Sequence, residues 1–151
     1  MKVRKAQIDD FFAGKHIAIA GVSRNPKKFG HEVFKELLKN GYDILPINPN
    51  AEKINGHHCY ASVETLPADV DSLLIVTPKF ETDQVLRSAL NKGIKNIWVQ
   101  QMSHTDSTLK IAEEFEKEII HNKCIFMFAE PVKGAHKIHR VIMKLFGQLP
   151  G

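Results

Sequence analysis

Cysteine is scarce in this sequence: Cys59 and Cys124 are the only two in 151 residues. Two cysteines do not make a disulfide framework, so a reduced, cytoplasmic protein is expected. Long apolar runs are missing, and nothing approaches the ~20 residues that a membrane helix needs. The opening stretch MKVRKAQIDDFFAGK carries basic residues with no apolar segment behind them, which is not the pattern of a secretory signal. Gly/Ser linkers, internal repeats and low-complexity tracts are absent too. One domain over residues 1–151 is therefore expected, with a core of about 14–128 and a helical extension of about 133–147. Charge of one sign is in small excess: 21 basic against 17 acidic residues give +4. That is a mild bias toward anionic partners, but the basic residues are spread out and the aromatics do not interleave with them, so nucleic acid is not expected. What remains is ordinary globular usage, 43% hydrophobic and 25% charged.

Short apolar runs alternate with longer amphipathic stretches. HIAIAGV (His16–Val22), rich in β-branched and small residues and holding a glycine, reads as a strand buried on both faces. From Gly30 the spacing turns helical, with Val33, Phe34, Leu37 and Leu38 on one side and a stop at Asn40-Gly41. Tyr42–Pro49 and Ser72–Pro78 read as the second and third strands, each ended by proline. Val85, Leu86, Ala89 and Leu90 mark a helix stopping near Lys92-Gly93, and Asn96–Gln100 is the fourth strand. Leu109, Ile111, Ala112, Phe115 and Ile119 give another helix with Asp106 or Ser107 as N-cap, followed by Cys124–Phe128 as the fifth strand. A short helix around Ile8–Phe12 precedes these elements, and a last amphipathic one runs from about Ala135 to Phe146. The alternation implies βαβ units, hence an α/β, doubly wound, Rossmann-like parallel sheet of five strands. The expected strand order is 3-2-1-4-5, with an extra C-terminal helix.

Ligands of such sheets sit at the carboxyl ends of the strands, where the strand order reverses. The first such loop is GVSRNPKKFG, and it suits a phosphate or pyrophosphate. Gly21 allows close backbone approach, a helix begins near Gly30, and Ser23, Arg24, Asn25, Lys27 and Lys28 add donors and charge. It is not the dinucleotide fingerprint, because Ser23 and Pro26 stand where GxGxxG has glycines. The acid that grips the ribose of NAD is also missing at the end of the second strand, where Ile47, Asn48, Pro49 and Asn50 stand with Glu52 beyond them. An NAD(P)- or other nucleotide-using oxidoreductase is the alternative reading. GxxxxGK[ST] is absent, so a P-loop nucleotidase has no support.

The combination Gly21-Val22-Ser23, Pro26, Gly41-Tyr42, Pro46-Ile47-Asn48-Pro49, Gly56, Asp71 and Trp98-Val99-Gln100 resembles the stand-alone coenzyme A-binding proteins. These are single domains similar to the CoA-binding Rossmann domain of the succinyl-CoA synthetase alpha subunit, and the likeness runs from about His16 to Phe126. It implies non-covalent binding of CoA or an acyl-CoA, with the Val22–Lys28 loop on the phosphates. Asn48, Pro49 and Lys53 would flank the adenosine, and Val76, Thr77 and Pro78 would line the pantetheine path. The loop chemistry agrees, since CoA carries roughly four negative charges near neutrality, which Arg24, Lys27 and Lys28 oppose. The family commonly has a glycine after the W-x-Q glutamine; here Gln101-Met102 follow. Succinyl-CoA synthetase catalysis needs a second domain with a phosphorylated histidine and an ATP-grasp partner, for which this chain is too short. A binding protein, more than an enzyme, is the expectation.

Other clusters carry less. His57-His58-Cys59 alternate sides on an extended segment, and His136 and His139 share a helix face without a CxxC or HExxH, so structural histidines and no metal are expected. Cys124 reads as core, and Ser23 lacks a nucleophile elbow. The Ala135–Phe146 helix, with Lys137, Arg140 and Lys144 opposite its apolar side, is read as packing on the sheet or pairing across a homodimer, not as a membrane anchor.

Overall fold

The computed structural model of the chain describes residues 2–130. The elements, in order, are α1 (Lys5–Ala13), β1 (Ile17–Ala20), α2 (Phe29–Lys39), β2 (Ile44–Ile47), β3 (Lys53–Ile54), β4 (His57–His58), β5 (Ser72–Ile75), α3 (Lys79–Lys92), β6 (Asn96–Gln100), α4 (Asp106–Glu114) and β7 (Ile120–Lys123). Two 3-10 turns, Val63–Thr65 and Ile125–Met127, complete them.

Five strands form one parallel sheet in the order β2-β1-β5-β6-β7. The period-2 alternation of the strands sorts their side chains to two faces. Ile17, Ile19, Ile44, Leu74, Trp98 and Ile120 pack with Phe11, Val33, Phe34 and Leu37 of α1 and α2. Ala18, Ala20, Leu73, Ile75, Ile97 and Val99 pack with Leu86, Ala89, Ile111 and Ala112 of α3 and α4. The doubly wound α/β sheet is thus as expected. Among the described residues no helix is long and apolar enough to cross a membrane.

Three expectations are corrected. Numbered along the chain, the sheet strands run 2-1-3-4-5 in space, not 3-2-1-4-5. The stretch between β2 and β5 contains no crossover helix that would carry β5 to the outside of β2, only the β3–β4 hairpin and a 3-10 turn, and it returns the chain to the free side of β1. The fifth strand is Ile120–Lys123, and Cys124–Phe128 is not a strand. There the ladder is ended by side chains: the Trp98 indole donates to the Lys123 carbonyl at 3.0 Å, and the Ile125 amide donates to Gln100 Oε1 at 3.0 Å. The chain then enters a 3-10 turn, in which Ile125 and Met127 are buried. Third, α4 is capped by Thr105 and not by Asp106 or Ser107; the Thr108 amide donates to the Thr105 hydroxyl, while the Ser107 and Thr108 hydroxyls donate to Asp83 on α3. This helix stops at Glu114, short of Phe115 and Ile119. The expected helix Ala135–Phe146, with His136 and His139, lies outside the described residues.

Candidate functional site

The strand order reverses between β1 and β5, and a cavity of about 560 Å³ opens there, above the carboxyl ends of β1, β2 and β5. Of the residues expected at the site, Gly21, Val22, Ser23, Asn48, Pro49, Thr77 and Pro78 line it. Arg24, Asn25, Lys27 and Lys28 do not; they continue the exposed loop beside it, and Lys28 occupies the N-cap position of α2. Lys53 lines an adjoining opening of about 520 Å³ around the β3–β4 hairpin. Val76 stays behind the wall, its amide donating to the Ala20 carbonyl at 2.9 Å.

The loop after β1 is built from close backbone approach and side-chain clamps. Gly21 has φ +98°, and a Cβ there would stand 2.9 Å from the Thr77 nitrogen and the Val76 carbonyl carbon. The missing side chain thus makes room for the neighbouring loop. A Cβ on Gly30 would stand 2.2 Å from the Gly21 oxygen, so this glycine lets the first turn of α2 sit on the end of β1. The Asn48 amide nitrogen donates to the Val22 carbonyl at 2.8 Å while its oxygen accepts from the Asn50 amide at 2.7 Å. Asn48 therefore ties the ends of β1 and β2 together. His31, buried on α2, donates from Nδ1 to the Ser23 carbonyl at 2.7 Å and accepts at Nε2 from Asn55 at 3.1 Å, which fixes one neutral tautomer. The Asn25 amide donates to Ser23 Oγ and the Lys27 amide to Asn25 Oδ1, each at 3.0 Å, two successive side-chain turns that shape the loop.

Charge is divided between cavity and loop. The cavity wall holds the carboxylates Glu64 and Glu81 and no lysine or arginine. The Ser88 hydroxyl bonded to Glu64 holds that carboxyl below its ordinary value, with its own backbone and Ser62 assisting. Beside it, Arg24, Lys27 and Lys28 form no ion pair among the described residues. An anion meets attraction at the loop and repulsion inside the cavity, while a flat polar group with hydrogen-bond donors fits the cavity.

A match to the family model described as CoA binding domain spans residues 15–130. The chain belongs to that family. It is 32% identical over 129 residues to the ADP-forming acetate–CoA ligase II subunit alpha of Pyrococcus furiosus, a match covering 78% of this chain and 28% of the ligase subunit. The chain thus spans well under a third of that relative. Among solved structures, a conserved hypothetical protein from Pyrococcus furiosus superposes with a TM-score of 0.71 at 37% identity, over 74% of this chain and 96% of that one. A hypothetical protein from Pyrococcus horikoshii gives 0.75 at 29% identity, over 87% and 94%.

In this member of the CoA binding domain family, the W-x-Q residues are structural: Trp98 and Gln100 clip the end of β7 through the two bonds described above. Sequence reasoning missed Ala61–Glu64, Glu81, Gln84, Val85 and Ser88 as lining residues. Val85 was visible only as one of the apolar positions that mark a helix. The 61–64 segment carries no local motif and reaches the site because the chain returns past the end of β2, where Asn48 and Tyr60 pair. His57 and His58 pack their rings on Phe34 and Tyr60, at 5.6 and 4.7 Å. The Cys59 thiol donates to the Asn48 carbonyl, and burial pushes its pKa up. No group of three metal-ligating side chains occurs among the described residues.

Proposed function

We propose that the chain binds coenzyme A or an acyl-CoA non-covalently at this crevice and catalyses no reaction of its own. The adenosine end enters the cavity between Pro49 and Val85, and the phosphates lie on the loop of Ser23, Arg24, Asn25, Lys27 and Lys28. Lys53, in the adjoining opening, faces the outer edge of the adenosine. The pantetheine arm leaves past Thr77 and Pro78, with Val76 backing that wall. The observation that carries this reading is the division of charge: cations on the loop that form no ion pair among the described residues, and Glu64 and Glu81 as the charged side chains of the cavity wall. A ligand with several phosphates at one point and an uncharged base next to them matches both halves. Family membership supports the same ligand class. Neither candidate nucleophile is poised for covalent chemistry: Ser23 Oγ accepts a turn hydrogen bond, and the Cys59 thiol is buried with its pKa raised. The reading places the protein in the cytoplasm, where Cys59 and Cys124 remain free thiols.

Thermal unfolding with CoA, acetyl-CoA, NAD, NADP and ATP tests it. A ligand at a hundredfold excess over its Kd adds about 2.7 kcal/mol, which for a domain of this size raises Tm by roughly 5–10 °C. CoA and acetyl-CoA should give that shift, and acetyl-CoA should be recovered intact. A shift with NAD and none with CoA would replace this reading with the oxidoreductase alternative.

A further inference from the structure

The carboxyl end of the sheet has another opening, on the far side of the α3 N-terminus. Its volume is about 610 Å³, and its wall includes Lys79 at the start of α3, Met102, His104 and Thr105 of the β6–α4 loop, and Asn122 of β7. Three separate observations fall on this one place. Met102 has φ +75°, a left-handed conformation that a Cβ-bearing residue adopts at a cost, and such outliers concentrate at working sites. Nδ1 of His104 is buried and has no hydrogen-bond partner among the described residues. Met102, in the wall, is 76% exposed, far more than the 40% of Phe29 and Phe115. A polar wall with a cation, an asparagine and an imidazole, next to one uncovered apolar side chain, fits a short chain that is apolar along its length and polar at its tip.

We propose that this opening receives the acyl end of an acyl-CoA, and that Lys79 and His104 select acyl groups ending in a carboxylate. The proposal rests on the CoA reading above. Extended ligands of open α/β sheets cross the strand-reversal point. With the base in the cavity over β2, β1 and β5, the arm that leaves past Thr77 and Pro78 arrives at the next residue, Lys79, which begins the wall of this opening. The β6 and β7 ends lie on that side of the sheet. Asp106, also in the wall, repels a carboxylate, so the selection depends on Lys79 and on donation from His104 and Asn122. Met102 covers the methylenes.

Two hydrolysis-resistant thioethers, S-(2-carboxyethyl)-CoA and S-propyl-CoA, separate tip from stem, and calorimetric titration of the full chain reads their affinities alongside CoA. The carboxyethyl thioether should bind about fivefold more tightly than the propyl one. In Lys79→Gln, an exposed position that leaves the core untouched, that ratio should fall to about one. His104→Gln should lower it as well. A ratio near one in the parent chain, or a ratio that Lys79→Gln leaves unchanged, overturns this proposal while CoA binding stands. Absence of CoA binding in the parent chain overturns the underlying reading, and this proposal with it.

Discussion

The β1–α2 loop and the β6–α4 loop leave the same end of the sheet with β5 between them, yet they are held in opposite ways. In the first, His31 holds the Ser23 carbonyl, Asn48 holds the Val22 carbonyl, and Gly21 is seated on the Val76–Thr77 backbone. In the second, bonds from the Gln101 amide to Lys123, from the Ser103 amide to Gln100 and at the Thr105 cap fix the ends, while Met102 stands exposed at positive φ and His104 keeps a nitrogen with no partner among the described residues. A fastened loop suits a part of the ligand that never changes, because its ordering cost is met on folding and not on binding. A strained, open loop suits a part that varies. Under the proposed reading, this contrast assigns the constant phosphates to the first loop and the variable acyl group to the second.

Breaking the fastened loop should have the largest effect. Gly30→Ala puts a methyl where the Gly21 carbonyl oxygen already is, and the contact is with backbone, which cannot rotate away. Either α2 or the end of β1 must shift, at a cost of about 3 kcal/mol in urea unfolding. CoA binding should be lost with it. A variant as stable as the parent would show that the contact between α2 and β1 is loose, and the contrast between the loops would fail.

Asn48→Ala comes next. It leaves the Val22 carbonyl and the Asn50 amide without their side-chain partner, so stability should fall by about 1–2 kcal/mol. CoA affinity should fall too, although the Asn48 amide is engaged within the protein, because the loop would then be ordered by the ligand. An affinity loss with unchanged stability would mean that Asn48 touches the ligand and does not hold the loop.

How far these loops were legible in the sequence follows from the range of their contacts. Gly21, the proline stops at Pro49 and Pro78, and the charges of Arg24, Lys27 and Lys28 are local signals, and the site lies beside them. The clamps are not local: His31 meets Asn55 and Asn48 meets Val22 across more than twenty residues, with no motif joining them. The same reason explains the strand order. Parallel strands were implied by alternation, but their neighbours depended on a connection of about two dozen residues whose hairpin and 3-10 turn leave weak patterns. β7 was hidden for a different cause. As an edge strand it carries His121, Asn122 and Lys123, while the apolar CIFMF beside it buries its side chains in a turn.

The open loop should respond in the reverse direction. Met102→Gly removes the Cβ that makes φ +75° unfavourable, and Met102 contributes little burial because it is largely exposed. Stability should rise by about 0.5–1 kcal/mol, part of the strain relief being offset by the greater freedom of glycine when unfolded. Binding of S-propyl-CoA should weaken with the loss of the apolar cover. If stability falls instead, Met102 contributes packing, and the second loop is as fastened as the first.

The smallest effects belong to the charges on the fastened loop. Arg24, Lys27 and Lys28 are exposed, so each neutral substitution should weaken CoA by only about 0.2–1 kcal/mol, and less as salt rises and screens the pair. Ser23→Ala should cost somewhat more, about 1–1.5 kcal/mol, because its hydroxyl also accepts the Asn25 amide and shapes the turn proposed to hold the phosphates. Dephospho-CoA, which keeps the pyrophosphate and lacks the 3′-phosphate, assigns each residue. A lysine that meets the 3′-phosphate loses its effect with this analogue, and the Ser23 effect persists. Lys53, set apart in the hairpin opening, is the residue expected to lose its effect. If all of these substitutions leave CoA affinity unchanged at low salt, the phosphates do not rest on the β1–α2 loop. Its clamps would then serve the fold alone, and the contrast with the β6–α4 loop would no longer divide constant from variable parts of the ligand.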